Sequence, residues 1–195
     1  MENTTFVIAT HNPNKVREFR RILEPMGISI LTPSLTEAEE TGTTFAENAR
    51  IKADSACKET GLPSIADDSG LTVDALNGRP GVYSARYGGP EASDEDRVQL
   101  ILQELKDVPD EQRGGAFVSA ICCTFPNGDR LEVQGMCRGM IAYAPAGEGG
   151  FGYDPIFLFG EKTFAQLSGE EKDAHSHRGE ALRKFAVALQ DYQNR

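Results

Sequence analysis

No stretch of this chain approaches the roughly 20 consecutive apolar residues that a bilayer-spanning helix requires. Its opening, MENTTFVIAT, carries neither a basic leader segment nor a cleavable apolar one, so the expected location is the cytoplasm. Positive charge is scarce: 20 Lys and Arg stand against 30 Asp and Glu, a formal net charge of −10. That balance disfavours broad binding to duplex nucleic acid or anionic lipid, while leaving room for a small polyanion in a local basic pocket. Cysteine is sparse as well. The four, Cys57, Cys122, Cys123 and Cys137, form no CxxC pair and suit buried thiols in a reducing compartment rather than a disulfide framework. With three histidines, no HExxH and no Cys/His set, a zinc centre is disfavoured. The absence of GxSxG and the adjacency of Ser176 and His177 disfavour a Ser-His-Asp hydrolase. Neither an internal repeat nor a linker is visible, so residues 1–195 read as one domain.

What is present alternates between strand and helix. TTFVIAT (4–10) is a short β-branched apolar run, a buried strand by its pattern. Asn12 can cap the helix that follows and Pro13 suits its first position; Val16, Phe19, Leu23 and Met26 recur at helical spacing before Gly27. ISILT (28–32) is again a strand, and Thr44-x-x-Glu47 is a capping box opening a helix that ends at Gly61. SIAD and LTVDAL read as two short strands flanking a DDSG turn. Ser93 caps a helix with Val98, Ile101, Leu102 and Leu105 on one face. AFVSAICCTF and RLEVQGMCRGMI are strands joined by PNGD, where Asn127-Gly128 signals a hairpin. PIFLF adds a strand, and HRGEALRKFAVALQDY a terminal helix. The order predicts an α/β fold with a mixed sheet and flanking helices.

Four stretches could carry chemistry. In THNPNK (10–15), Lys15 falls in a helix's first turn, where its charge opposes the macrodipole unless an anion sits there; Thr10 and Asn12 would add uncharged donors. The carboxylates Glu39, Glu40, Glu47, Asp67 and Asp68 include a set suited to magnesium, which takes one or two carboxylates plus phosphates and waters. Glu39 or Glu40 with Asp68 could supply it, Glu47 reads as a cap, and Lys52 could face the same place. GEGGFG (147–152) fits the dinucleotide fingerprint only in letters, because YDPIFLF, not a helix, follows. It leaves a glycine-rich loop carrying Phe151, Tyr153 and Asp154, able to offer an aromatic face to a base. In KDAHSHRGEAL, Ser176 caps a helix whose first turn holds the donors His177 and Arg178.

Taken in order, THNPNK, EETGTTFAENARIKA, IADDSGLTVDAL, RPGVYSARYGG, GGFGYDPIF and SHRGEAL resemble the inosine/xanthosine triphosphate pyrophosphatase family, the Ham1-like noncanonical purine NTP pyrophosphatases. The resemblance runs from about residue 6 to about residue 189. It implies an elongated α/β fold with two lobes around a nucleotide-binding cleft, a homodimer, and Mg²⁺-dependent hydrolysis of dITP, ITP or XTP to the monophosphate and pyrophosphate. Carried onto this chain, Thr10, His11, Asn12, Pro13, Asn14 and Lys15 are the triphosphate turn, Asp68 the proton acceptor, and Glu39 with Asp68 the magnesium ligands. Ser69, Phe151, Gly152, Tyr153, Asp154, Lys172, His177 and Arg178 are the remaining nucleotide contacts, and Lys52 a phosphate or catalytic lysine. His11 stands where many relatives have glycine, Asn14 is uncommon at its place, and His175 replaces a usual aliphatic residue.

On this reading the metal offsets the repulsion between Asp67 and Asp68 at a strand end, and His177 and Arg178 choose the base through its O6 acceptor. The Maf-like pyrophosphatases are a poorer match, since their turn reads Ser-x-Ser-x-x-Arg and this one Thr-x-Asn-x-x-Lys. A protein that binds nucleotide without turnover is the rival of another class; the intact Asp68 and Glu39/Glu40 set argues against it.

Overall fold

Asn12 has extended backbone and its side chain accepts from the amides of Asn14 and Lys15, so the chain turns from strand β1 (Thr5–Ile8) straight into helix α1 (Pro13–Leu23). This and the rest of the architecture come from a computed structural model, which describes residues 4–195. After β2 (Ser29–Leu31), Thr44 and Glu47 form the expected capping box of α2 (Phe45–Thr60), closed by Gly61 in the left-handed conformation. β3 (Ser64–Val73) leads to α3 (Asp94–Glu104), capped by Ser93 and Asp96. β4 (Gly114–Thr124) and β5 (Arg130–Ile141) are joined by the turn at Asn127-Gly128, and β6 (Phe157–Phe159) and β7 (Lys162–Thr163) follow. α4 (Gly169–His175) and α5 (His177–Gln193) end the chain. The strands hydrogen-bond in the order β2-β1-β3-β4-β5-β6-β7, with β1 parallel to both β2 and β3, and β6 antiparallel to both β5 and β7. The sheet is mixed, as the sequence predicts.

The expected DDSG turn does not exist: β3 runs unbroken through it. Gly70 is there for a close approach. A Cβ at that position would meet Ser84 Oγ at 2.4 Å and the Gly81 carbonyl at 2.6 Å. The strand in PIFLF is also shorter than its apolar run, because Asp154–Ile156 form a 3₁₀ turn. Met26 lies in another such turn and is exposed, so the buried stripe of α1 is Glu18, Phe19, Ile22 and Leu23 instead.

Two compact units emerge: residues 1–68, 119–135 and 177–195 form the first, and residues 69–118 and 136–176 the second. In the first, the period of two along each strand sorts side chains to opposite faces. Phe6 and Ile8 of β1, Ile65 of β3 and Ile121 and Cys123 of β4 join Phe19 and Leu23 of α1 and Leu182 and Phe185 of α5 on one face. Val7 and Ala9, Ala66, and Ala120 and Cys122 face the other way, against Ala49, Ala53 and Ala56 of α2. These alanines let α2 lie close to the strands. In the second unit, Leu71, Val73, Val98, Ile101, Leu105 and Ile141 surround an aromatic cluster, with the Phe117 ring 4.5 Å from Phe157 and 5.7 Å from Phe164. All four cysteines are buried and outside any disulfide, and among the described residues no helix is long and apolar enough to cross a membrane.

Candidate active site

The alternation of β3 decides where its two acids go. Ile65 and Asp67 share the α1/α5 face; Ala66 and Asp68 share the α2 face. Asp67 is fully buried, and Lys15 Nζ lies 2.7 Å from its Oδ2, Arg178 Nη2 3.2 Å from the same oxygen, and Ser119 Oγ donates to Oδ1 at 2.5 Å. Arg178 also pairs through Nη1 with the buried Glu18. Burial alone would raise the Asp67 carboxyl, but Arg178 and Lys15 hold it well below the usual carboxylate range. Burial pushes the Lys15 ammonium down, against the pull of Asp67 and with the push of Arg178 and Lys52.

On the α2 face Lys52 Nζ stands 2.7 Å from Glu40 Oε1 and 3.2 Å from Asp68 Oδ1. Burial works against its charge, yet Asp68 and Glu40 outweigh that and raise its pKa. Asp68 moves up as well: burial lifts it, Lys52 lowers it, and Glu40 lifts it again. The acidic loop is fastened to α2, with the Gly42 amide donating to the Asn48 side chain at 2.8 Å and Glu47 accepting from Thr43 and Thr44. Asp68 Oδ2 is buried and has no hydrogen-bond partner among the described residues. An orphaned carboxylate oxygen beside a second carboxylate suits a divalent cation, which completes its shell with phosphate and water. No group of three or more His, Cys, Asp and Glu side chains that could hold a metal is gathered among the described residues.

The glycine-rich loop lies in the second unit. Asp154 Oδ2 accepts from Lys172 Nζ at 2.6 Å and from the Phe151 amide at 3.0 Å, and the Lys172 ammonium lies 4.7 Å from the centre of the Phe151 ring. The Gly152 amide donates to Asp94, and the Tyr153 hydroxyl donates to the Ser84 carbonyl at 2.7 Å. Tyr153 is therefore a buried strut, and Phe151 is the half-buried ring with a face to offer.

Several sequence expectations change on contact with these distances. The repulsion between Asp67 and Asp68 needs no metal to offset it, because the pleat sends them to different faces and each has its own lysine. The amides of Asn14 and Lys15 are already taken by the Asn12 side chain, so an anion at this turn depends on side chains, not on a free helix end. Arg178 pairs through its two terminal nitrogens with Glu18 and Asp67, the same Asp67 that Lys15 meets. Glu40, not Glu39, reaches Lys52, and Glu39 is exposed. Thr10 accepts from the Asn12 amide, Asn14 bonds to Arg17, and His11 and Pro13 are exposed. Ser69 follows Asp68 along β3, and His177 is buried at the start of α5. His175 is exposed and stacks on Phe159, 4.9 Å between centroids. Glu18 and Ser119 were not anticipated. Their signals were a glutamate at i+3 from Lys15 within a buried stripe, and a lone hydroxyl in an apolar strand run.

A strand that sends one carboxylate to a buried cation pair and the next to a lysine shared with an acidic loop defines an α/β enzyme suited to a polyanionic substrate. The chain belongs to the Ham1 family, whose sequence profile matches residues 6–188. It is 50% identical over 189 residues to a dITP/XTP pyrophosphatase of Exiguobacterium, covering 94% of this chain and 95% of that one. To the Bacillus subtilis dITP/XTP pyrophosphatase it is 46% identical over 190 residues, with 94% and 96% covered. Among solved structures, a HAM1 protein from Coxiella burnetii superposes with a TM-score of 0.87 at 42% identity, covering 96% of this chain and 99% of that one. The Staphylococcus aureus Ham1 protein gives 0.85 at 39%, covering 97% and 100%.

Proposed function

We propose that residues 1–195 act as a single Mg²⁺-dependent pyrophosphohydrolase that converts dITP, ITP and XTP to the monophosphate and pyrophosphate, clearing noncanonical purines from the nucleotide pool. The observation that carries it is the pair Asp68 and Glu40 sharing Lys52 with one Asp68 oxygen unsatisfied, in a chain whose relatives bear the name dITP/XTP pyrophosphatase. Water attacks the α-phosphorus and Asp68 takes its proton; the bond from that phosphorus to the bridging oxygen breaks, and pyrophosphate leaves with the electron pair. Lys15 and Lys52 hold the negative charge of the phosphates, with Thr10, Asn12 and Ser69 as uncharged partners. Magnesium, held by Asp68 with Glu40 or Glu39, supplies charge neutralisation on the phosphate oxygens. Phe151 stacks on the base with the Lys172–Asp154 pair holding its ring, and His177 is the donor that favours an O6 acceptor over an amino group. Mispairing there costs about 1–3 kcal/mol per group. The enzyme works as a homodimer in the cytoplasm.

The test is product analysis. Purified protein with Mg²⁺ should release pyrophosphate from dITP and XTP, little from dATP and dGTP, and none once Asp68→Asn is introduced. Orthophosphate as primary product, or equal rates on all four nucleotides, would overturn the assignment. Binding of dITP with no turnover would favour a nucleotide-binding protein.

A further inference from the structure

Lys52 lies between the two carboxylates, Glu40 and Asp68, that the proposed reaction assigns to the metal. Its ammonium touches Glu40 and Asp68 at once, its side chain is only 16% exposed, and α2 cannot move it away freely because Ala49, Ala53 and Ala56 seat the helix against the strands. The acidic loop is tied down on the same helix one turn earlier, through Gly42 and Asn48. The pair of carboxylates is thus preassembled around an ammonium. One positive charge leaves two carboxylates half neutralised, which accords with the unsatisfied Asp68 Oδ2.

We propose that Lys52 is a positioning residue, the resident counter-ion of this carboxylate pair, which keeps a lone divalent cation out and yields its place only when the metal arrives with a triphosphate. This rests on the reading above that Glu40 and Asp68 receive the metal. A bare cation entering the site must displace a doubly paired, half-buried ammonium and leave it without a partner. A triphosphate removes that penalty, because its oxygens give the displaced ammonium a new acceptor. Metal and nucleotide then bind with positive coupling, each strengthening the other by the same factor. The released lysine is delivered to the phosphates at the moment the metal engages them.

Lys15 provides the control. It is also a lysine, and its partner Asp67 is the neighbour of Asp68, but it touches neither Asp68 nor Glu40. The experiment is calorimetric titration of the full-length, nucleotide-free protein with Mn²⁺ alone. Lys52→Met should tighten Mn²⁺ binding at least about tenfold, or about 1.4 kcal/mol. Lys15→Met, acting only through its more distant field, should tighten it about threefold or less. Unchanged or weaker binding in Lys52→Met, or equal tightening in both variants, overturns the inference. A second measurement needs no variant: acylation of Lys52 in the wild-type protein, read by mass spectrometry. Mn²⁺ alone should leave labelling of Lys52 unchanged, because the ammonium keeps both carboxylates; a rise in labelling with Mn²⁺ alone overturns the inference. Absence of pyrophosphate release from dITP would sink the functional reading instead, and that assay is independent of both measurements.

Discussion

Lys52 and Lys172 make an instructive pair, one in each compact unit. Both place an ammonium against a carboxylate away from bulk water. Lys172 pairs with the carboxylate of Asp154, with side-chain exposure of 4% and 3% for the two, and the aromatic rings of Phe151 and Phe164 lie around it. Lys52 has two carboxylates, partial exposure, and a neighbouring oxygen with nothing to bind. The first arrangement is closed: Asp154 also accepts the Phe151 amide, so the pair fixes the loop and presents a ring. The second is open to exchange. The difference teaches that a buried salt bridge can serve either to hold a shape or to keep a place, and that the count of unsatisfied atoms tells which.

The contrast can be broken by substitution, beginning with the largest effect. Asp68→Asn removes the proposed proton acceptor and should lower kcat for pyrophosphate release by about 10²- to 10⁴-fold while leaving the melting temperature near that of the wild type. Lys172→Met leaves Asp154 buried without its cation, which should destabilise by about 3–5 kcal/mol. For a chain of this size that lowers Tm by roughly 6–20 °C in a thermal melt; a variant melting with the wild type would show that the pair is not closed. Asp67 gives a pH signature. Its folded-state pKa is depressed, so its contribution is complete above the ordinary aspartate value of about 3.9 and is lost as pH falls through the lower folded value. Urea unfolding should therefore show wild-type stability falling below about pH 4, and Asp67→Asn, already weaker at neutral pH, should lose that part of the slope. Asn48→Ala removes the acceptor of the Gly42 amide, costs about 1–3 kcal/mol, and should raise the Mg²⁺ concentration for half-maximal release more than the KM for dITP. The smallest effect belongs to the exposed pair Arg130–Asp54: Arg130→Ala should change stability by less than about 1 kcal/mol in the same melt, and less again at high salt.

Much of this was legible in the sequence where the cause is local. Asn12, Thr44 and Ser93 announced their helices because a cap is a contact over two or three residues. Asn127-Gly128 announced the hairpin, and Pro155 unmasked the false dinucleotide fingerprint. Asp68 and Lys52 could be singled out, but their meeting could not be measured. What stayed hidden depends on partners far along the chain. Glu18 meets Arg178 across 160 positions, Asp67 meets Arg178 across 111, and Ser119 meets Asp67 across 52. Gly70 misled for the same reason: glycine next to serine and aspartate has the composition of a turn, and only Ser84, distant in sequence, shows that it is a point of contact.

The pleat of β3 also separates two proton environments. Arg178 and Lys15 hold the Asp67 carboxyl well below the usual carboxylate range; one residue on, burial raises that of Asp68. The strand is thereby an insulating partition one peptide thick. In the proposed reaction, a proton taken up by Asp68 therefore finds no carboxylate acceptor in its neighbour on the α1/α5 face.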